Sequence, residues 1–454
     1  MEFHFVNHGS VGSKSRKVIR SHVMKGKNSG KKHVARGQKR TRIATGNEPA
    51  SPPRDMISTL RRMVGDDLST YSPGTEMSPH TRLLFHQYFY ILSEALFPPE
   101  FCQVQNPMKT VWFDYLLNDK AYFHVSLSMT ATCLDFFEYK DHESPQAIAH
   151  MTTAFALVNQ KLSGPESLSD ATIALVSMLS CQESIRGDLK KYKIHLAGLD
   201  RMVRLRGGLH AFEQNMELFH KICRSDIQYA LHTDCPAFYH HDAMPQRIMQ
   251  EICRNPCHPD RPLADIFSTA EPTIRDLVQE IDGISVFLSN CGLHSKLTAD
   301  EFQSILSSLG YRLLRIRDQG YTCPGDLQGA CLLGVMSFYT SLLLQFGRQR
   351  HLLYEKISRR LKSSVHVLDL DSAHSQFLPT LMWLLMLGAI SVFEKDDDPW
   401  LLPELARVSE LLTLKGWEET HCELKRYPWV GSIHNGQGRR VWDKILRYRG
   451  DKMV

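Results

Sequence analysis

From about residue 80 onward, apolar residues recur every three to four positions, and this spacing predicts a succession of α-helices. A first series covers roughly 80–96, 107–118, 119–138, 146–162, 169–186, 189–206 and 212–231. A second covers about 271–290, 299–319, 325–346, 350–363, 376–393, 399–413 and 416–426, with a last helix near 437–448. Ser78 before Pro79 and Ser169 before Asp170 read as helix starts. Thr298 opens "TADE" with Glu301 three residues on, the pattern of a capping box. Residues 233–262 are rich in proline and read as a long irregular crossing between the two series. No strand alternation stands out beyond the N-terminal segment. The expected fold is all-α, one large multi-helix domain over residues 80–454.

Two of these helices carry most of the information. In "IHLAGLDRMVRLRGGL", residues 194–209, Leu196, Leu199, Met202 and Val203 share one face, while Lys193, Asp200, Arg201 and Arg204 fall on the opposite, water-facing side. Asp200 lies four residues before Arg204, the spacing of a surface ion pair. Gly207 or Gly208 can take the left-handed conformation that ends a helix, and Arg204 and Arg206 suit the negative end of its dipole. The second helix, "FLPTLMWLLMLGAISVF" at 377–393, carries no charge. Its length sits at the lower limit for a membrane span. It has no Lys/Arg flank and is followed at once by "EKDDD", which makes it a buried core helix and predicts no membrane partner.

Charge changes the picture at the N-terminus. Residues 1–46 hold 12 Lys and Arg against Glu2 alone, so with an overall net charge of +5 the rest of the chain carries a net −6. This segment is also rich in glycine and cannot bury enough apolar surface to offset chain entropy, so it reads as a mostly disordered basic tail. Within it, "SRKVIRSHVMK" at 15–25 sets Val18, Ile19, His22 and Val23 on one helical stripe among Arg16, Lys17, Arg20 and Lys25. An isolated helix of this length is marginal, so it orders only against a partner: nucleic acid, a receptor or the protein's own body. Residues 47–79, broken by Pro49, Pro52, Pro53, Pro73 and Pro79, form a linker with room for one short helix around 56–64.

The 11 cysteines, scattered from Cys102 to Cys422, read as reduced, largely buried thiols of a protein without a secretory leader. No nucleophile elbow, phosphate loop, H-E-x-x-H or dinucleotide fingerprint is present, so no catalytic or cofactor-binding residue is assigned and the chain is not expected to be an enzyme. "CRNPCHPD" with "FYHHD" offers Cys253, Cys257, His258, His240, His241 and Asp242. Only the first pair has zinc spacing, and the loop reads as a chance collection rather than a metal site. The tail carries the clearest functional signal. The doublets Lys31-Lys32 and Lys39-Arg40 are candidates for nuclear targeting, and Arg16, Lys17, Arg20 and Lys25 for contact with nucleic-acid phosphates.

Three blocks taken in order, "HLAGLDRMVRLRGGL", "LPTLMWLLMLGAISVF" and "DPWLLPELARVSELLTLKGWEETHCELKRYPWV", resemble the regulatory region of fungal-specific transcription factors. The first matches through His195, Gly198, Leu199, Met202, Val203, Arg206, Gly207, Gly208 and Leu209. The later ones match through Pro379, Trp383, Gly388, Trp400, Trp417 and Trp429. That region usually accompanies a Zn₂Cys₆ cluster, which needs six cysteines in a basic N-terminal segment. Here the first cysteine is Cys102, so the zinc-based DNA-reading module is not expected. The resemblance implies a nuclear transcription regulator of a fungus that acts through interactions. Its expected partners are an effector or protein partner on the helical region, an import receptor, DNA through the basic tail, and a second copy or a transcription-machinery protein. The alternative is a helical scaffold that does not touch DNA.

Overall fold

Ser78, Ser169 and Thr298 each hold an extended backbone, and each hydroxyl accepts a bond from an amide three residues on. Each cap satisfies a donor that the first helical turn leaves open. At Thr298 the Glu301 carboxylate accepts from the Thr298 amide at 2.8 Å, completing the capping box. The computed structural model of the chain describes residues 78–454 except 138–143, 255–260, 293–294, 323–325, 344–353, 368–376, 395–396 and 453–454. The basic tail, most of the linker and the helix expected at 56–64 lie outside the described residues.

The described elements run α1 (Pro79–Gln87), a π-helical turn (Tyr88–Leu92), α2 (Ser93–Leu96), a 3₁₀ turn (Pro107–Lys109), α3 (Val111–Asn118), α4 (Lys120–Phe137), α5 (Pro145–Leu162), α6 (Asp170–Arg186) and α7 (Leu189–Leu205). A 3₁₀ turn (Leu209–Phe212) leads to α8 (Met216–Thr233), α9 (Gln246–Arg254), α10 (Pro262–Ile266), α11 (Pro272–Ser289), α12 (Ala299–Asp318) and α13 (Leu327–Leu342). The chain continues through α14 (Glu355–Val367), α15 (Leu378–Ser391), α16 (Asp398–Leu411), α17 (Trp417–Leu424) and α18 (Gly431–Lys452). Among the described residues every regular element is helical, as the periodicity predicts, and the only pairing of strand type is a single bridge between Cys102 and Leu297.

α4 packs on α5 and α6, α6 on α7 and α8, and α8 on α12, so α8 runs through the middle of the N-terminal set. In the second set α15 is enclosed by α13, α14, α16 and α18. Apolar all round, it buries Leu381 to Leu387 to 2% exposure or less. Trp383 stacks on Tyr427 at 5.1 Å and donates to the Pro428 carbonyl at 3.2 Å. α13 approaches α15 at Gly334, where an added Cβ would lie 2.5 Å from Leu384 Cδ2 and 2.7 Å from the Trp383 ring. No described helix is long and apolar enough to cross a membrane.

Three expectations need correction. The 233–262 crossing contains α9, whose polar residues face outward around a short apolar stripe that begins at buried Ile248. The helix expected at 80–96 is interrupted by the π turn, whose wider winding sets Phe89 edge-on to Phe85 at 5.0 Å and to Phe113 at 5.2 Å. Asp200, placed with the solvent-facing residues of α7, is 8% exposed. It pairs with Arg204 at 3.0 Å as its spacing predicts, but the Tyr239 hydroxyl from the crossing segment also donates to it at 3.2 Å and covers it.

Candidate effector cavity

On α8, Lys221, Arg224, Ser225 and Gln228 stand at i, i+3, i+4 and i+7 and so share one face. On a surface helix such a stripe meets water. Here α8 is packed by α6, α7 and α12, and the stripe lines a cavity of about 540 Å³. The other walls come from Ser177, Met178 and Cys181 of α6, Trp112 of α3, the start of α12, and Tyr88 and Leu92 of the π turn. Asn215 holds the start of α8 in place. Its amide oxygen accepts from the Leu218 amide at 3.2 Å, and its nitrogen donates to Asp170 at 2.8 Å.

Lys221 is 7% exposed. Its ammonium donates to the Tyr122 hydroxyl at 3.2 Å and lies 4.3 Å from the Trp112 ring centre and 5.5 Å from that of Tyr122. These rings stack nearly parallel, 6.2 Å apart. Burial, reinforced by the Arg224 cation, pushes the Lys221 ammonium down to about 7. Arg224 donates to the Gln303 amide oxygen at 3.1 Å, and Ser225 shares a hydrogen bond with Ser177 at 2.8 Å. Gln228 is fully buried, and neither end of its amide has a hydrogen-bond partner. His220 donates through Nε2 to Asp300 at 2.9 Å, and that bond holds the Asp300 carboxyl below its usual range. Burial pushes the Cys181 thiol up, so it stays protonated rather than becoming a thiolate nucleophile. The arrangement is suited to holding a molecule, with cationic and amide groups beside Met108, Trp112 and Met178.

The quoted α7 block serves architecture. Gly207 and Gly208 both have positive φ, 106° and 94°. The Gly208 amide donates to the Val203 carbonyl at 2.9 Å and the Gly207 amide to that of Arg204 at 3.0 Å, the paired bonds of a Schellman stop. Arg206 leaves the helix end and donates to the Leu168 carbonyl at 2.7 Å and to Asp170 at 2.8 Å, tying the stop of α7 to the start of α6. His195 is buried and stacks on Phe155 at 6.2 Å, and burial lowers its imidazole to about 4.

Lys31, Lys32, Lys39 and Arg40, and Arg16, Lys17, Arg20 and Lys25, lie outside the described residues, as do Cys257 and His258. Asp242 pairs with Arg315 at 2.9 Å, and the His241 ring packs edge-on to Phe219 at 4.9 Å. Among the described residues no group of three or more His, Cys, Asp and Glu is placed to hold a metal ion.

Sequence reasoning missed the cavity residues altogether. The available signal was Lys221, Arg224, Ser225 and Gln228 on one stripe of α8. Without knowing that α12 and α3 cover this face, that stripe reads as solvent-exposed.

Residues 82–287 match the family model of the fungal specific transcription factor domain, a family of regulators rather than of enzymes. The matched stretch holds the α7 block and all of α8, while the later resembling blocks, from Leu378 onward, lie beyond it. No curated protein and no solved structure is significantly similar to the chain. Over residues 82–287, the chain is thus similar to the fungal specific transcription factor domain.

Proposed function

We propose that the protein is a nuclear transcription regulator that acts by binding rather than by catalysis. Its helical region receives an effector in the α8 cavity. The basic residues of segment 1–46 supply the import signal, through Lys31, Lys32, Lys39 and Arg40, and the contact with DNA phosphates, through Arg16, Lys17, Arg20 and Lys25. A second copy or a protein of the transcription machinery completes the set of partners. The observation that carries this reading is the family match over 82–287, which encloses α8 and most of the cavity wall.

Fluorescent tagging tests it. The full chain should concentrate in nuclei, and deletion of residues 1–46 should spread the signal through the cell. A uniform cytoplasmic signal, unchanged by the deletion, would replace this reading with that of a scaffold that does not touch DNA.

A further inference from the structure

We infer that the α8 cavity binds a small amphipathic organic acid, with its carboxylate held by Lys221, Arg224 and Gln228 and its apolar body against Met108, Trp112 and Met178. This rests on the effector reading above and gives it a chemical class. The hydrogen bonds of both cations go to neutral oxygens, those of Tyr122 and Gln303, and neither cation pairs with a described carboxylate. A buried charge without a counter-charge and a buried amide without partners are both costly to keep. Here they stand on one stripe, beside a space that fits one metabolite-sized molecule. A carboxylate answers both kinds of cost, because it supplies negative charge to the cations and lone pairs to the Gln228 nitrogen.

Acidic groups also line the cavity, and their placement limits the charge of the ligand. Glu217, one turn before Lys221, is half-buried, and Asp300 is exposed and already bound by His220. On this stripe Lys221 and Gln228 are buried, whereas Glu217 and Arg224 are half-buried and Asp300 of α12 is exposed, so the carboxylates lie nearer solvent than the Lys221 cation and the amide. That balance favours a monoanion over a phosphate dianion. The facing aromatic and methionine side chains favour a flat or flexible apolar body.

Calorimetric titration of the full-length protein with 2-naphthoic acid, 2-naphthamide and 2-naphthyl phosphate tests the inference. The acid should bind at least about tenfold more tightly than the amide. Lys221→Gln and Arg224→Gln should each remove most of that preference. Equal binding of acid and amide, or a preference that survives both substitutions, would overturn the anion assignment and leave the effector site standing. Tightest binding of the phosphate would overturn the carboxylate, and absence of all three would overturn the effector site itself. A ligand-independent check is the melting temperature of Lys221→Met without additives. It should equal or exceed that of the parent chain, because an unpaired buried cation has been removed. A fall would make Lys221 a structural fixture of the Trp112–Tyr122 stack and overturn the inference.

Discussion

Lys221 is a buried ammonium whose hydrogen bond goes to the neutral Tyr122 hydroxyl. In the folded chain its ammonium loses a proton near pH 7, whereas in the unfolded chain it does so near 10.5. Between those values the unfolded state binds more protons, so the contribution of this group to stability rises with pH, by up to a few kcal/mol in all. Other titratable groups share the cavity: Glu217, His220 and Arg224 on α8, Asp300 on α12, Cys181 on α6 and Tyr88 in the π turn, with Tyr122 of α4 bonded to the ammonium itself. The comparison that isolates Lys221 is therefore with Lys221→Met. Urea unfolding at about pH 6.5 and 8.5 should show the parent chain gaining stability at the higher pH by more than the variant does. Identical pH slopes in the two proteins would remove the buried cation from the account.

Among the elements, the helix ends were the most legible in the sequence, because capping is local chemistry. Ser78, Ser169, Thr298 and the Gly207–Gly208 stop each act within three or four residues of themselves, and each is found where the residues place it. The uncharged 377–393 stretch was legible for a similar reason, since only enclosure by other helices suits a helix apolar on all sides. What failed depended on partners distant in sequence. Asp200 is buried because Tyr239, 39 residues later, covers it, and the α8 stripe faces a cavity because α3 and α12 close over it. The α13–α15 crossing is of the same kind, with Gly334 unremarkable in sequence yet in contact with Trp383. Gly334→Ala should destabilise the protein by about 1–3 kcal/mol through overpacking, although alanine is the better helix former. Thermal unfolding reads this directly, and an unchanged or higher melting temperature would mean that the two helices are not held at this distance.

For the molecule as a whole, charge is unevenly divided along the chain. A net +11 lies in residues 1–46, and the helical region that follows holds the stretch matching the family model and the cavity. In the proposed function, the helical region regulates and the basic segment holds nucleic acid. Such binding comes from phosphate contacts and counterion release, so it should be weak in sequence preference and steep in salt. The most direct test is duplex binding by the full chain, with and without residues 1–46, as salt is varied. If about six of the 12 cations reach phosphates together, the logarithmic salt slope is roughly −5. Affinity should then fall by about three orders of magnitude between roughly 50 and 200 mM salt and be lost when the segment is removed. A sequence-selective complex that ignores salt and survives the deletion would overturn this role of the basic segment and place the DNA-reading surface on the helices.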